Sequence, residues 1–280
     1  SLSLSLSLSL YICIILCIIL VLLILILFSL YYKKSNFENK PTSKNLVFTS
    51  AGNNTQFHTL WLNGNPNFDT WCIYYGDNDE KYNEYKKKVK YIERRKGGKF
   101  QNFHYIYNKY RDLVLSYERF FILDDDIIFE TKDINKMFDI SIEYDLDICG
   151  PTFKPTGGKI SHEITTQRPN SKLRYTNFIE VGVSLFNKKA LINLMKYYDP
   201  ILIGWGIDYL SIWANGQDKK DKYALIDEVS CINPHDNTKS NGRENKLVKG
   251  FNNEANIWHK FKNKLNISVP ANITYKTIPI

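Results

Sequence analysis

The sequence carries no charged side chain before Lys33 and few cysteines, five in 280 residues. There is no Cys-x-x-Cys pair and no spacing of the kind zinc modules use. Cys13 and Cys17 lie in an apolar run, which leaves Cys72, Cys149 and Cys231, enough for one disulfide at most. A disulfide-stapled scaffold is therefore excluded. A glycine loop of Walker type ending in lysine is also missing, which argues against a P-loop phosphoryl or nucleotidyl transferase.

What fills the uncharged start is hydrophobic. Leu10 to Tyr32 is almost wholly Ile, Leu, Val, Cys and aromatic, long enough to cross the ~30 Å hydrocarbon layer as a helix. A cleaved signal peptide would begin with basic residues and hold a shorter apolar stretch of roughly 7 to 15 residues. The expectation is an uncleaved single-pass anchor over 10–32, after a low-complexity Ser-Leu tail (1–9) and before a polar stem (33–45) containing Pro41. Lys33, Lys34, Lys40 and Lys44 follow the span, and by the positive-inside rule they favour a cytosolic domain.

Residues 33–280 hold all 37 basic and 29 acidic side chains, and so the whole net charge of +8. That length suits one α/β domain, with at most a tail. In Lys81 to Lys99 the residues Tyr82, Tyr85, Val89 and Ile92 recur at helical spacing, which predicts an amphipathic helix with a solvated basic face. Attraction to phosphates or to an anionic membrane is the functional alternative. Nucleic acid is not expected as a partner, because the aromatics fall on the apolar stripe. Asn53, Asn266 and Asn272 begin Asn-x-Ser/Thr sequons, usable in a lumenal domain.

Strands are expected at Leu46–Ser50, Trp71–Tyr75, the run ending at Asp124, Asp147–Gly150, Phe178–Phe186 and Ala224–Val229. Helices are expected near Gln56–Leu62, Phe103–Ser116, Asp133–Tyr144, Asn187–Tyr198 with Asn187 as its cap, and Glu254–Leu265. Pro151 to Arg174 reads as a long loop. Strands alternating with helices at this spacing predict a mostly parallel sheet covered on both faces.

The most informative segment is Arg119 to Phe129, RFFILDDDIIF. Three carboxylates cannot enter a core without partners. Strand alternation sends Asp124 and Asp126 one way and Asp125 the other. Paired carboxylates at a strand end suit Mg²⁺ or Mn²⁺; the plainer alternative is a solvated acidic turn.

Further motifs stand in order around this triplet: Gly76-Asp77 after the second strand, His162-Glu163-Ile164-Thr165, Ile179-Glu180-Val181 with Phe186 beyond, Gly204-Trp205-Gly206-Ile207-Asp208, Asn215-Gly216-Gln217-Asp218, and Ile226-Asp227 followed by His235. Together they resemble the GT-A glycosyltransferases with a DxD motif, and more closely the domain-of-unknown-function 707 family, over roughly Asn45 to Asp236. The resemblance implies a GT-A-like, Rossmann-like mixed α/β sheet, mostly parallel and flanked by helices, as a catalytic domain over 46–236 with a C-terminal tail over 237–280. It implies transfer of a sugar from a nucleotide-sugar donor to a glycan, glycoprotein or glycolipid acceptor.

On the same resemblance Asp124 and Asp126 bridge the ribose and a Mn²⁺ or Mg²⁺ ion, and His235 supplies a third metal ligand. Asp208 is the general base, unless it only caps a helix, and Trp205 with Gly206 forms a platform for the acceptor, unless the indole is buried. Asp77 contacts the nucleotide or is a plain turn residue; Lys99 reaches a phosphate or faces solvent. His162 and Glu180 face the substrate with roles left open. The resemblance also favours a lumenal domain in the Golgi or ER, against the flanking lysines. A non-catalytic, membrane-tethered carbohydrate-binding or scaffold protein with the same fold is the alternative.

Overall fold

The structure, a computed structural model, describes residues 12, 14–27, 40–234 and 251–280. The chain divides into two units, Ser1–Lys40 and Pro41–Ile280. In the first, residues 14–27 are helical. Among the described residues no helix is long and apolar enough to cross a membrane, and residues 10, 11, 13 and 28–32 of the expected span lie outside them.

The second unit is built on a nine-stranded sheet: β1 (Asn45–Ala51), β2 (Asp69–Tyr74), β3 (Tyr91–Arg94), β4 (Arg119–Asp124), β5 (Ile148–Phe153), β6 (Ser171–Thr176), β7 (Val183–Asn187), β8 (Tyr223–Cys231) and β9 (Thr274–Pro279). Their order is β3-β2-β1-β4-β7-β5-β8-β6-β9. β3, β2, β1 and β4 are mutually parallel, β7 and β6 run antiparallel to their neighbours, and β5 pairs parallel with β8. The sheet is thus mixed, with most strands pointing one way, as expected.

Alternation along the strands feeds two cores. Leu46, Phe48, Phe120 and Ile122 face α2 (Lys99–Lys109), α4 (Lys188–Tyr197) and α5 (Ile207–Asn215), while Val47, Phe121 and Leu123 face α3 (Thr131–Glu143) and α1 (Asp79–Lys86). Each of these buried side chains contributes roughly 1.5–3 kcal/mol of transfer free energy. Asn187 caps α4 as expected, its side chain accepting from Ala190 N. Trp258, on α6 (Glu254–Lys264), is buried in the first core with Ile257, Phe261 and Leu265 packed around it.

Four strands depart from expectation. The basic stretch Lys81–Lys99 is not one helix: α1 ends at Lys86, and Tyr91–Arg94 pairs with β2 instead, Trp71 opposite Tyr91. Ser171–Thr176, placed in a loop by its sequence, is β6, and Phe178–Gly182 precedes β7 rather than belonging to it. β9 adds a ninth strand in the C-terminal stretch.

Candidate active site

Asp124 ends β4 at the carboxyl edge of the parallel strands, beside Ser50 of β1. Open α/β sheets bind ligands in this crevice. The two residues that follow Asp124 leave the strand in a turn closed by Ile127 N donating to Asp124 O at 3.3 Å. Strand alternation therefore does not govern Asp126, which corrects the argument that pairs it with Asp124. Asp125 turns inward, and its Oδ2 accepts from Gly52 N at 3.0 Å, while its carbonyl accepts from Gln56 N and Thr55 Oγ1. Burial and the neighbouring Asp126 push its pKa up. Its work is to hold the turn after β1.

β7 starts opposite the end of β4, so the residues before it lie against Asp124. Asp124 N donates to Gly182 O at 2.9 Å, and a Cβ on Gly182 would sit 2.9 Å from Asp124 Oδ2, so any side chain there would have to push the carboxylate aside. Lys99, the first residue of α2, reaches in from the other side. Its Nζ lies 2.9 Å from Asp124 Oδ1 and donates to Val181 O at 2.8 Å; the lysine side chain is 10 % exposed and that of Asp124 50 %. Buried Asn102 supports this approach by donating to Ser50 Oγ and Gly97 O.

Glu180 completes an acidic group. Burial first, then the charges of Asp124 and Asp208, push its pKa up to about 7, with Lys99 opposing. Its Oε2 is buried without a hydrogen-bond partner. Asp208 lies in the first turn of α5, 8 % exposed, accepting from Tyr209 N at 2.9 Å. Burial lifts its pKa to about 6 against those backbone hydrogen bonds. The helix start is Gly206, and no side chain caps it, so Asp208 is not the N-cap that its sequence position suggested; its charge reaches Glu180 instead.

Gly206 makes the turn into α5 with φ 84°, a left-handed conformation that favours glycine. A Cβ there would lie 2.1 Å from the Trp258 ring. Trp205 points outward instead, 59 % exposed, and its backbone N–H donates to Glu254 Oε1 at 3.3 Å. Half-buried His162 packs against Phe178 with tilted rings 4.5 Å apart, and Phe178 meets Tyr209 at 5.6 Å, which ties His162 to the helix of Asp208. Burial lowers the His162 pKa. Asp77 stands apart on the rim, 85 % exposed and paired with Lys96 at 2.8 Å. His235 lies outside the described residues; the last described residue before it, Pro234, bridges Gly158, and nearby Ile232 bridges Ile128, two residues beyond Asp126.

Nothing in the sequence pattern marks Arg174 as a functional residue. Its guanidinium is fully buried against Asp227 and also donates to Ile164 O and Thr166 O, while Asp227 accepts from Arg168 N at 2.9 Å. The pair clamps the 162–168 segment that carries His162. Only the alternation of Leu173, Arg174 and Tyr175 hinted at a strand there, and its partner is 53 residues away.

Among the described residues no three His, Cys, Asp or Glu side chains are assembled to hold a metal ion. The donors are nonetheless of one hard type. Asp124 and half-buried Asp126 offer carboxylate oxygens, and the orphaned Oε2 of Glu180 marks a polar region whose acceptors exceed its donors. Such donors suit Mg²⁺ or Mn²⁺, so the residues fit that kind of ion.

No family model and no curated protein matches the chain, so the domain-of-unknown-function 707 likeness rests on the motifs quoted above. Solved structures do match. Residues 1–349 of S. aureus TarS align with TM-score 0.49 at 12 % identity, covering 68 % of this chain and 60 % of that one. GalNAc-T7 with UDP, GalNAc and Mn²⁺ aligns with TM-score 0.50 at 13 % identity, covering 80 % of this chain and 54 % of that one. The chain spans little more than half the length of these structures. At such identity the likeness to GalNAc-T7 speaks for architecture alone, and that architecture is a GT-A-like fold.

Proposed function

We propose that the protein is a glycosyltransferase of the domain-of-unknown-function 707 type, moving a sugar from a nucleotide-sugar donor to an acceptor hydroxyl. One observation carries the reading: at the carboxyl edge of a GT-A-like sheet, Lys99 pairs with Asp124, and Glu180 lies within reach of the charges of Asp124, Asp208 and Lys99.

Asp126 with Asp124 would hold Mn²⁺ or Mg²⁺, which when bound supplies Lewis-acid stabilisation of the departing diphosphate. Lys99 adds a point charge toward the phosphates. Asp208 accepts the proton of the attacking hydroxyl; with a pKa near 6 it is ionised at neutral pH yet basic enough to take that proton. Its position in the first turn of α5 fixes its direction. Exposed Trp205 offers an apolar face to the acceptor ring. Exposed Asp77, paired with Lys96, is proposed to contact the nucleotide, and His162 and Glu180 are proposed to face the substrate, with their chemical roles left open. His235 is proposed as a further ligand of the ion.

The domain is further proposed to stand in the Golgi or ER lumen on an anchor over 10–32. Occupancy of the exposed sequons at Asn53, Asn266 and Asn272 in cells tests this, and their complete absence from an expressed chain would place the domain on the other side. The activity is tested by hydrolysis of a panel of nucleotide sugars with and without Mn²⁺. Release of nucleotide that is lost in Asp126→Ala is expected. A folded protein that neither binds nor hydrolyses any of them would return the chain to the binding-protein alternative.

A further inference from the structure

Lys99 is fixed more firmly than a phosphate-seeking lysine needs to be. Its side chain is 10 % exposed, with Nζ 2.9 Å from Asp124 Oδ1 and 2.8 Å from Val181 O. The oxygen it grips belongs to the carboxylate expected to meet a metal ion. Asp124 Oδ2 is turned against Gly182, where a Cβ would lie 2.9 Å away. The pair also shapes its surroundings, because Lys99 opposes and Asp124 reinforces the upward shift of the Glu180 pKa. An ammonium group held against Asp124 and a divalent ion drawn to the same carboxylate compete, since like charges at short distance repel.

We propose that Lys99 is a placeholder cation: it neutralises Asp124 until a divalent ion takes that carboxylate, and is then released toward the donor diphosphate. The inference rests on the glycosyltransferase reading and adds the coupling within its site. The lysine can make the exchange because its four-carbon stem swings without disturbing the helix that it begins, and its other bond is to a single carbonyl. Placed so, one side chain links two ligands. Metal binding frees a phosphate ligand, and by reciprocity donor binding draws Lys99 away from Asp124 and strengthens metal binding.

The experiment titrates Mn²⁺ into the full chain without nucleotide, by calorimetry or by the electron paramagnetic resonance of free Mn²⁺. Wild type is compared with Lys99→Met, with Lys99→Gln, which keeps a donor for Val181 O, and with Lys188→Met. That control removes an equal charge from a pair with Glu118 at the other end of β4. Circular dichroism confirms that each variant is folded. Both Lys99 variants are expected to bind Mn²⁺ roughly three- to tenfold more tightly than wild type, with the control unchanged. The factor by which Mn²⁺ raises UDP affinity is expected to shrink in the same two variants. Unchanged or weaker Mn²⁺ binding in the Lys99 variants overturns the placeholder role, whatever UDP does. Failure of wild type to bind UDP at saturating Mn²⁺ counts against the glycosyltransferase reading instead, and Mn²⁺ affinities measured alone still decide the role of Lys99.

Discussion

Arg174 and Asp227 meet as a two-point ion pair with both side chains 0 % exposed, Nε 2.8 Å from Oδ2 and Nη2 3.0 Å from Oδ1. It joins β6 to β8 and reaches the 162–168 segment through Arg168 N and the carbonyls of Ile164 and Thr166. Asp227→Ala leaves a buried guanidinium without its counter-charge, and a loss of about 3–5 kcal/mol is expected. Urea denaturation reads this directly. The double change Arg174→Met with Asp227→Leu should cost less than either single change, because it removes both buried charges.

Asp208 should set the acid limb of the turnover profile. Its pKa, raised to about 6 by burial, means that turnover rises as pH passes from 5 to 7 with an inflection near 6. Asp208→Asn should lower kcat by roughly 10²–10⁴ while donor affinity stays as in wild type, and should remove the inflection. Rate–pH profiles together with donor titrations check both parts.

Glu180 makes the folded state sensitive to alkali. The unfolded chain ionises this carboxyl near 4.5 and the folded chain near 7. Between those values the folded state keeps a proton that the unfolded state has released, so stability falls as pH rises through this window and levels off above it. Glu180→Gln should flatten the fall and leave the protein more stable at pH 8, by on the order of 2 kcal/mol after solvent screening. Asp208, shifted the same way, accounts for the slope that remains. Thermal melts of both proteins from pH 4 to pH 8 measure the difference.

Gly206→Ala should separate α6 from the domain. The new methyl would overlap the Trp258 ring at 2.1 Å, at a left-handed φ of 84°. Backbone strain alone costs about 1 kcal/mol or more, and the displaced indole adds the loss of a large buried side chain. Faster proteolytic cleavage between 251 and 280, with turnover reduced, is the expected outcome.

The strands richest in β-branched and aromatic residues were legible because their neighbours in sequence are also their neighbours in character: LVFTS, WCIYY and RFFILD each occupy a core strand. β3 was hidden because Tyr82, Tyr85, Val89 and Ile92 satisfy a helical period, and only the pairing with β2 settles the competition. β6 was hidden because one of its inward positions carries an arginine, acceptable only once Asp227 is known to face it. Asp124 and Asp208 could be singled out as carboxylates beside apolar runs and glycines. The grip of Lys99 on Asp124 joins residues from different elements, and no local pattern announces it.

The last strand gives the order of synthesis a structural meaning. β9 covers the outer edge of β6, pairing Leu173 with Ile278 and Arg174 with Thr277. While residues 274–279 are still inside the ribosome, β6 exposes a bare row of amide and carbonyl groups, the kind of edge to which strands of other chains add. That edge is closed only when Thr274–Pro279 docks on it.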